Sequence, residues 1–271
     1  MTLGRGALVD NRLHPAVRAQ RPFVELAMRV GASPSPRGKA SLAAYRCRRL
    51  NQNGWGACTS QAAALATVER MAVLGKPLSF VPSQLGLWSD ALIIEGGPGL
   101  TAAQLATLNQ GVQSVTMTIA MGHGVRPMGP LASDGRFSDI DTGPVAPGLD
   151  QLTTAAMMSK VGEYRIDNTD PTWPIQAAIS LDNGIPVYVA GDVGADYDAW
   201  VPSMPPVDKA ESGPASGHAW VLDEYVTTGA GDLVFSGVGS YGTSYADDGV
   251  WLFTSQGLLA RCFDVYPWEV S

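Results

Sequence analysis

Alanine, leucine, valine and methionine recur at helical spacing through residues 59–74, and the run contains neither glycine nor proline. Gly75 and Pro77 follow it, and both residue types end helices. This segment is the strongest helix prediction in the chain.

A second helix is predicted to begin near Ala102. The hydroxyl of Thr101 can accept a hydrogen bond from a backbone N–H group of the first turn, and Gly122 supplies the end. Met117 and Met121 lie within this segment and are expected to fill the core.

Beyond Gly184 the pattern changes to β-branched and aromatic residues, which is typical of strands. Strands are predicted at 185–190, 219–225, 233–238 and 250–253. A short helix over 174–183, with Pro174 in its first turn, precedes them. Helices followed by strands favour an α+β architecture over the alternating units of a parallel doubly wound sheet.

The first 45 residues have a different composition, with a single apolar run at 23–30 and prolines at Pro15, Pro22, Pro34 and Pro36. They predict an extended arm that holds one or two turns of helix. Proline and glycine are dense again at 127–148, which is predicted to be a loop.

The chain of 271 residues is 45% hydrophobic, which is enough for a sizeable core, and its net charge is −7. No apolar run is long enough for a membrane span, and the opening residues lack the apolar segment of a secretory signal. We therefore expect a soluble protein, cytoplasmic or virion-associated, that binds neither membranes nor, given its charge, nucleic acids. The one basic cluster, Arg46, Arg48 and Arg49, is interpreted as a solvated charge run.

Three cysteines, Cys47, Cys58 and Cys262, are too few and too scattered for a disulfide framework or a cysteine-rich zinc site. A reducing compartment is expected, with no metal and no cofactor. Cys58 stands out because it begins the strongest predicted helix, where unpaired N–H groups and the helix dipole stabilise a thiolate. A lone cysteine is more often a small buried apolar residue, so the other segments decide its interpretation.

Among the three histidines, His218 follows a glycine and leads directly into a predicted strand. His14 lies in the proline-rich arm and His123 between two glycines after a helix, which are positions typical of surface or capping residues. A third segment, Gly239-Ser240-Tyr241-Gly242, is by itself a glycine-rich turn between two strands.

Together these segments resemble the papain-like (C1-type) cysteine peptidases. Gln52 stands six residues before Cys58, as in the family's bacterial motif Gln-x-x-x-Gly-x-Cys-Thr. His218 with Ala219 and Tyr225 is similar to the family's His-Ala strand, and the turn that begins at Gly239 is similar to its Asn-Ser-Trp-Gly. The order and spacing agree, and the similarity touches roughly three-fifths of the chain.

The resemblance implies a two-lobed papain-like α+β fold, with an N-terminal arm at 1–45, a helical lobe at 46–165 and a β-rich lobe at 166–271. It implies that Cys58 is the nucleophile and His218 the acid and base, acting on a peptide or protein substrate. Gln52 would donate its side-chain amide to the developing oxyanion, together with the backbone N–H of Cys58.

Gly239 departs from the family, because it aligns with the asparagine that orients the imidazole and has no side chain. Ser240 and Asp223 are candidate replacements, although Ser240 equally suits a turn and Asp223 a solvent-facing position. Tyr241 stands where the family has the tryptophan that shields this contact, and it is a candidate supporting residue.

Two functions of different classes follow. The first is a cytosolic or phage-encoded cysteine peptidase, which the alignment of Gln52, Cys58 and His218 favours. The second is a structural or binding protein that keeps the fold without turnover, such as a virion component whose N-terminal arm holds assembly partners. Gly239 in the asparagine position favours the second.

Overall fold

The computed structural model describes residues 7–8, 20–47, 50–52, 56–95, 111–123, 125, 164–210, 212–242 and 246–270. Its helices are α1 Phe23–Val30, α2 Cys58–Val73, α3 Gln84–Ile94, α4 Ser114–His123, α5 Trp173–Asp182, α6 Ala195–Asp198 and α7 Ser255–Arg261. Its strands are β1 Ala7–Leu8, β2 Arg21–Pro22, β3 Lys39–Ser41, β4 Val112–Gln113, β5 Tyr164–Arg165, β6 Val187–Val193, β7 Ser216–Thr227, β8 Leu233–Val238, β9 Val250–Thr254 and β10 Cys262–Pro267. In this part of the chain, no helix combines the length and the apolar character needed to cross a membrane.

The main sheet is antiparallel and has the strand order β10, β6, β7, β8, β9. Its longest strand, β7, pairs with β6 over its first half and with β3 over its second half. In this register His218 lies opposite Gly191 of β6. His218, the candidate catalytic histidine, is therefore on the central strand of the sheet.

The two faces of the main sheet are both covered. On β7, Ala219 and Val221 belong to the apolar cluster that contains α2, whereas Trp220 and Leu222 belong to the cluster that contains α5. Successive side chains of a strand point to opposite faces, and here each face meets a core. This explains why the strand segments are apolar at nearly every position instead of alternating with polar residues.

The helix α2 lies at the centre of the helical lobe and confirms the strongest helix prediction within one residue at each end. Its first nine residues are all buried. Four of them are alanines, which lets neighbouring elements approach its backbone closely, and α2 packs against β7, α3 and α4. A helix that is buried on nearly every side is only weakly amphipathic, so the absence of glycine and proline and the end signals support its prediction beside the helical spacing.

The remaining element predictions fared unevenly. The helix at 174–183 is α5, and the four predicted strands are β6 to β9, with bounds that differ by up to three residues. Met117 and Met121 of α4 are fully buried, as expected. The predicted start of the second helix and the predicted loop at 127–148 lie outside the described residues. The sequence analysis did not predict α7 or β10.

The segment 20–45 packs against the β-rich lobe, where an extended arm was expected. Phe23 and Leu26 of α1 are buried in the same cluster as α5, while Val24 and Met28 are exposed. The strand β3 then joins the main sheet beside β7. The prolines therefore separate short packed elements of this segment.

Candidate active site

Cys58 is the first residue of α2 and is fully buried. Ala57 precedes the helix and offers no side chain as a cap, while the hydroxyl of Ser60 donates a hydrogen bond to the Ala57 carbonyl oxygen at 2.9 Å. The thiol therefore lies at the positive end of a helix of 16 residues. The helix N-terminus favours a thiolate, whereas the full burial of Cys58 in the apolar cluster around α2 opposes it.

Gln52 is held by the turn that follows β8. Its backbone N–H donates to the carbonyl oxygen of Ser240 at 2.8 Å, and its side-chain Oε1 accepts a hydrogen bond from the Ser240 hydroxyl. Gln52 is fully buried and Ser240 is nearly so. In this orientation Oε1 is the acceptor, which leaves Nε2 as the end that can donate elsewhere.

The same turn is held by a close contact between the backbone of Gly242 and the segment that contains Leu50 and Asn51. Gly242 has a φ of +72° and its N–H donates to the carbonyl oxygen of Leu50 at 3.1 Å. A Cβ at Gly242 would lie 3.0 Å from Nδ2 of Asn51, and a positive φ strains any residue with a side chain. Glycine is therefore required at residue 242, where the turn packs against the segment that leads to Cys58.

His218 is fully buried against Tyr241. The two rings are stacked with centroids 4.6 Å apart, and the Tyr241 hydroxyl lies 3.4 Å from Nδ1 of His218. A phenol can donate to a neutral imidazole nitrogen and can accept from a protonated one, so this contact suits both states of the ring. Tyr241 thus covers the ring and also offers it a polar group.

A small cavity of about 10 Å³, enough for one water molecule, lies between α2, β7 and the turn that follows β8. Its walls include Gln61 and Ala62 of α2, Ala219 of β7, and Gly239 with Ser240. Because Ala219 directly follows His218 and Gln61 lies in the first turn of α2, the start of α2 lies beside the His218 end of β7. The cysteine and the histidine therefore come from elements that meet at one place.

The backbone of β1 lies between the two lobes. Ala7–Leu8 pairs in parallel with β4, which leads into α4 of the helical lobe, and the same two residues lie beside β7. A strand in this position limits access to the junction of the lobes from its side.

This architecture matches solved structures of cysteine proteases over almost the whole chain. Xylellain, a cysteine protease from Xylella fastidiosa, has a TM-score of 0.69 at 18% identity, with 100% of this chain and 97% of that chain covered. Digestive procathepsin L 3 of Tenebrio molitor larval midgut has a TM-score of 0.66 at 14% identity and covers 98% of this chain and 76% of its own. The bromelain protease from Ananas comosus has a TM-score of 0.56 at 15% identity, covering 85% and 98%.

The chain has the papain-like fold. At these identities the likeness establishes the fold alone, and the chemistry has to be argued from the residues of the site. No protein-family model and no curated protein matches the sequence.

Within this papain-like fold, Asp223 is not a replacement for the missing asparagine. It lies five residues after His218 on the same extended strand, which separates the two by about 16 Å. Its carboxylate is fully buried and accepts two hydrogen bonds from the guanidinium of Arg46, which also pairs with Glu224 at 2.7 Å. Asp223 therefore fits neither alternative, the orienting role or the solvent-facing position, and the interpretation of Arg46 as part of a solvated charge run is wrong.

Burial alone would lower the pKa of Arg46. The hydrogen bond and the negative charge of Asp223, together with the charges of Glu224 and Glu69, outweigh that effect and leave the pKa raised. The Arg46 guanidinium is therefore permanently charged and ties the segment before Cys47 to the second half of β7.

Gly239 has no room for a side chain. A Cβ built on it would lie 2.7 Å from Cζ3 of Trp251 and 3.2 Å from the hydroxyl oxygen of Tyr197. Sequence reasoning missed Tyr197, because it lies in a short helix outside the three motifs. The only sequence signal was indirect, since a glycine in the asparagine position leaves space that another residue has to fill.

Proposed function

We propose that this protein is a cysteine peptidase that hydrolyses peptide bonds, with Cys58 as nucleophile, His218 as acid and base, and Gln52 as oxyanion donor. The observation that carries the proposal is the convergence of the start of α2, the His218 end of β7 and the Gln52 to Ser240 hydrogen bond at the junction of the lobes. The elements that carry these three groups meet there, in a papain-like fold.

In the proposed reaction the Cys58 thiolate attacks the carbonyl carbon of the substrate, and a C–S bond forms as the π electrons move to the carbonyl oxygen. Nε2 of Gln52 and the backbone N–H of Cys58 donate hydrogen bonds to that oxyanion. Protonated His218 gives its proton to the leaving amine as the C–N bond breaks. His218 then takes a proton from water, whose oxygen attacks the thioester and releases Cys58.

Support for the Gln52 assignment comes from its burial and from Ser240. An amide that rotated freely would place its oxygen near the developing negative charge in half of its orientations. The hydrogen bond from the Ser240 hydroxyl to Oε1 opposes that orientation. Removal of one oxyanion donor costs about 10²- to 10³-fold in kcat in other proteases.

Gly239 and β1 favour the second candidate, a papain-like scaffold used for assembly or binding without turnover. Gly239 gives His218 no asparagine, and β1 lies against both β4 and β7. The short pairing between β1 and β4 is also compatible with a peptidase whose strand is displaced by substrate. In that case a chain that begins at Gln20, which lacks β1 but keeps α1 and β3, turns over substrate faster than the full chain.

The experiment that tests the proposal is hydrolysis of a fluorogenic peptide library by the full chain and by a chain that begins at Gln20. Turnover that is abolished by Cys58→Ala and by His218→Ala is the expected result. Turnover that survives Cys58→Ala would assign the activity to another residue. Absence of turnover in both folded chains would favour the scaffold.

A further inference from the structure

The imidazole of His218 is enclosed by aromatic rings. Tyr241 stacks on it, Trp220 is roughly parallel with its centroid 6.3 Å away, and Tyr197 meets it edge to face at 5.8 Å. When His218 is protonated, each of its N–H groups requires an acceptor, because a buried charge without hydrogen bonds is costly. Among these three neighbours, the polar oxygens are the hydroxyls of the two tyrosines.

Trp251 and Tyr197 together occupy the space that a side chain at residue 239 would need. The Tyr197 hydroxyl oxygen lies 3.2 Å from the position of a Cβ on Gly239, and the ring of Trp251 fills the rest of that space. A glycine and a tyrosine from a different element are therefore complementary. The polar group that Gly239 does not provide is present at the same place, on α6.

The position of Tyr197 is set independently of His218. Its ring stacks on Trp251 with centroids 4.5 Å apart and an angle of 10° between the planes, and Nε1 of Trp251 donates to the Tyr197 carbonyl oxygen at 3.0 Å. Tyr197 is fully buried. Because Trp251 fixes both the ring and the backbone of Tyr197, the Tyr197 hydroxyl is well suited to orient a neighbouring side chain.

We infer that Tyr197 is a positioning residue for His218 in the reaction proposed above. Its hydroxyl supplies from α6 the polar group that is missing at residue 239, and Tyr241 contributes a second hydroxyl near Nδ1. The two phenols together take the role of an asparagine side chain. They hold the imidazole in place and favour its protonated form.

Other titratable groups lie on the elements around His218. These are the Cys58 thiol on α2, Asp192 on β6, and Asp196 and Asp198 on α6. Asp192 neighbours Gly191, which pairs with His218, and Asp196 accepts hydrogen bonds from Ser212. Replacement of Tyr197 by phenylalanine changes none of these groups.

The test is the titration of the His218 imidazole by NMR in Tyr197→Phe, in a Cys58→Ser background, with His218→Ala used to assign the signal. Loss of a polar oxygen from the surroundings of the buried ring disfavours its charged form, so the pH at which His218 titrates should fall by about one unit. Tyr225→Phe is the matched control. It removes a hydroxyl that donates to Asp182 at 2.8 Å near the far end of β7, and it should leave the titration of His218 unchanged.

The alkaline limit of peptide turnover is the second readout, in the chain that retains Cys58. It should move to lower pH by the same amount in Tyr197→Phe. An unchanged His218 titration in folded Tyr197→Phe would overturn the inference, even if the protein is an active peptidase. A shifted titration in a chain that hydrolyses no peptide would uphold the positioning role of Tyr197 and refute the proposed function.

Discussion

Gln52 and Ser240, 188 residues apart in the chain, are joined twice: backbone N–H to backbone carbonyl at 2.8 Å, and hydroxyl to side-chain amide. The two bonds tie the segment that leads into Cys58 to the turn that follows β8. Because this turn also carries Gly239 and Tyr241, one short segment sets the amide of Gln52 and the surroundings of His218.

Ser240→Ala removes the hydroxyl that orients Gln52. We expect kcat to fall by about tenfold with a smaller change in KM, because a hydrogen bond worth about 1.5 kcal/mol is lost from a group that acts on the developing oxyanion. Peptide turnover at saturating substrate measures the effect. Ser236→Ala on β8 is the matched control and should leave kcat unchanged. A normal kcat in Ser240→Ala would refute this role of Ser240.

Gly239→Ala should destabilise the fold. The added methyl would lie 2.7 Å from Cζ3 of Trp251, which is buried and has no room to move. We expect the free energy of unfolding to fall by about 1–3 kcal/mol, as for other overpacked cores. Urea unfolding measures it, with Gly229→Ala as control, since no atom lies within 4 Å of a Cβ at that position. Equal stability of the two variants would contradict the filled space at Gly239.

Arg46→Ala should lower the free energy of unfolding and leave the reactivity of Cys58 unchanged. It leaves the buried carboxylate of Asp223 without its guanidinium, and breaking such a pair costs about 3–5 kcal/mol. In contrast, Glu25→Ala breaks the exposed ion pair with Arg21 and should cost less than about 1 kcal/mol. Urea unfolding of both variants measures the difference. A loss of Cys58 reactivity in folded Arg46→Ala would contradict the separation of Asp223 from the site.

The sequence carried the local information about this protein but little about its long-range contacts. Residues 59–74 predicted α2 because composition and end signals are local, and Cys58, His218 and Gln52 were recognised from motif order. The Arg46 to Asp223 pair joins residues 177 apart, so no spacing rule could indicate it. Tyr197 was missed for the same reason, since its importance depends on a glycine elsewhere in the fold.

The pKa of the Cys262 thiol decides whether alkylation of the native chain can be assigned to Cys58. Burial raises the pKa of the Cys262 thiol, with Arg261 opposing the effect. A thiol with a raised pKa stays neutral at pH values where an ordinary thiol, with a pKa of about 8.5, has begun to ionise. We therefore expect no alkylation of Cys262 in the native protein below about pH 9. Labelling of the native chain then reports on Cys58 and on the half-buried Cys47.

The most direct test of the account is the pH dependence of Cys58 alkylation by iodoacetamide, in the native chain and in His218→Ala, with Cys58→Ser to assign the signal. Burial of Cys58 slows its labelling at every pH. The account predicts that the labelling rate rises well below pH 8 in the native chain but only near the ordinary thiol pKa of about 8.5 in His218→Ala, because the imidazolium keeps the thiolate ionised. A labelling rate that follows an ordinary thiol titration, and that His218→Ala leaves unchanged, would contradict the Cys58–His218 pair.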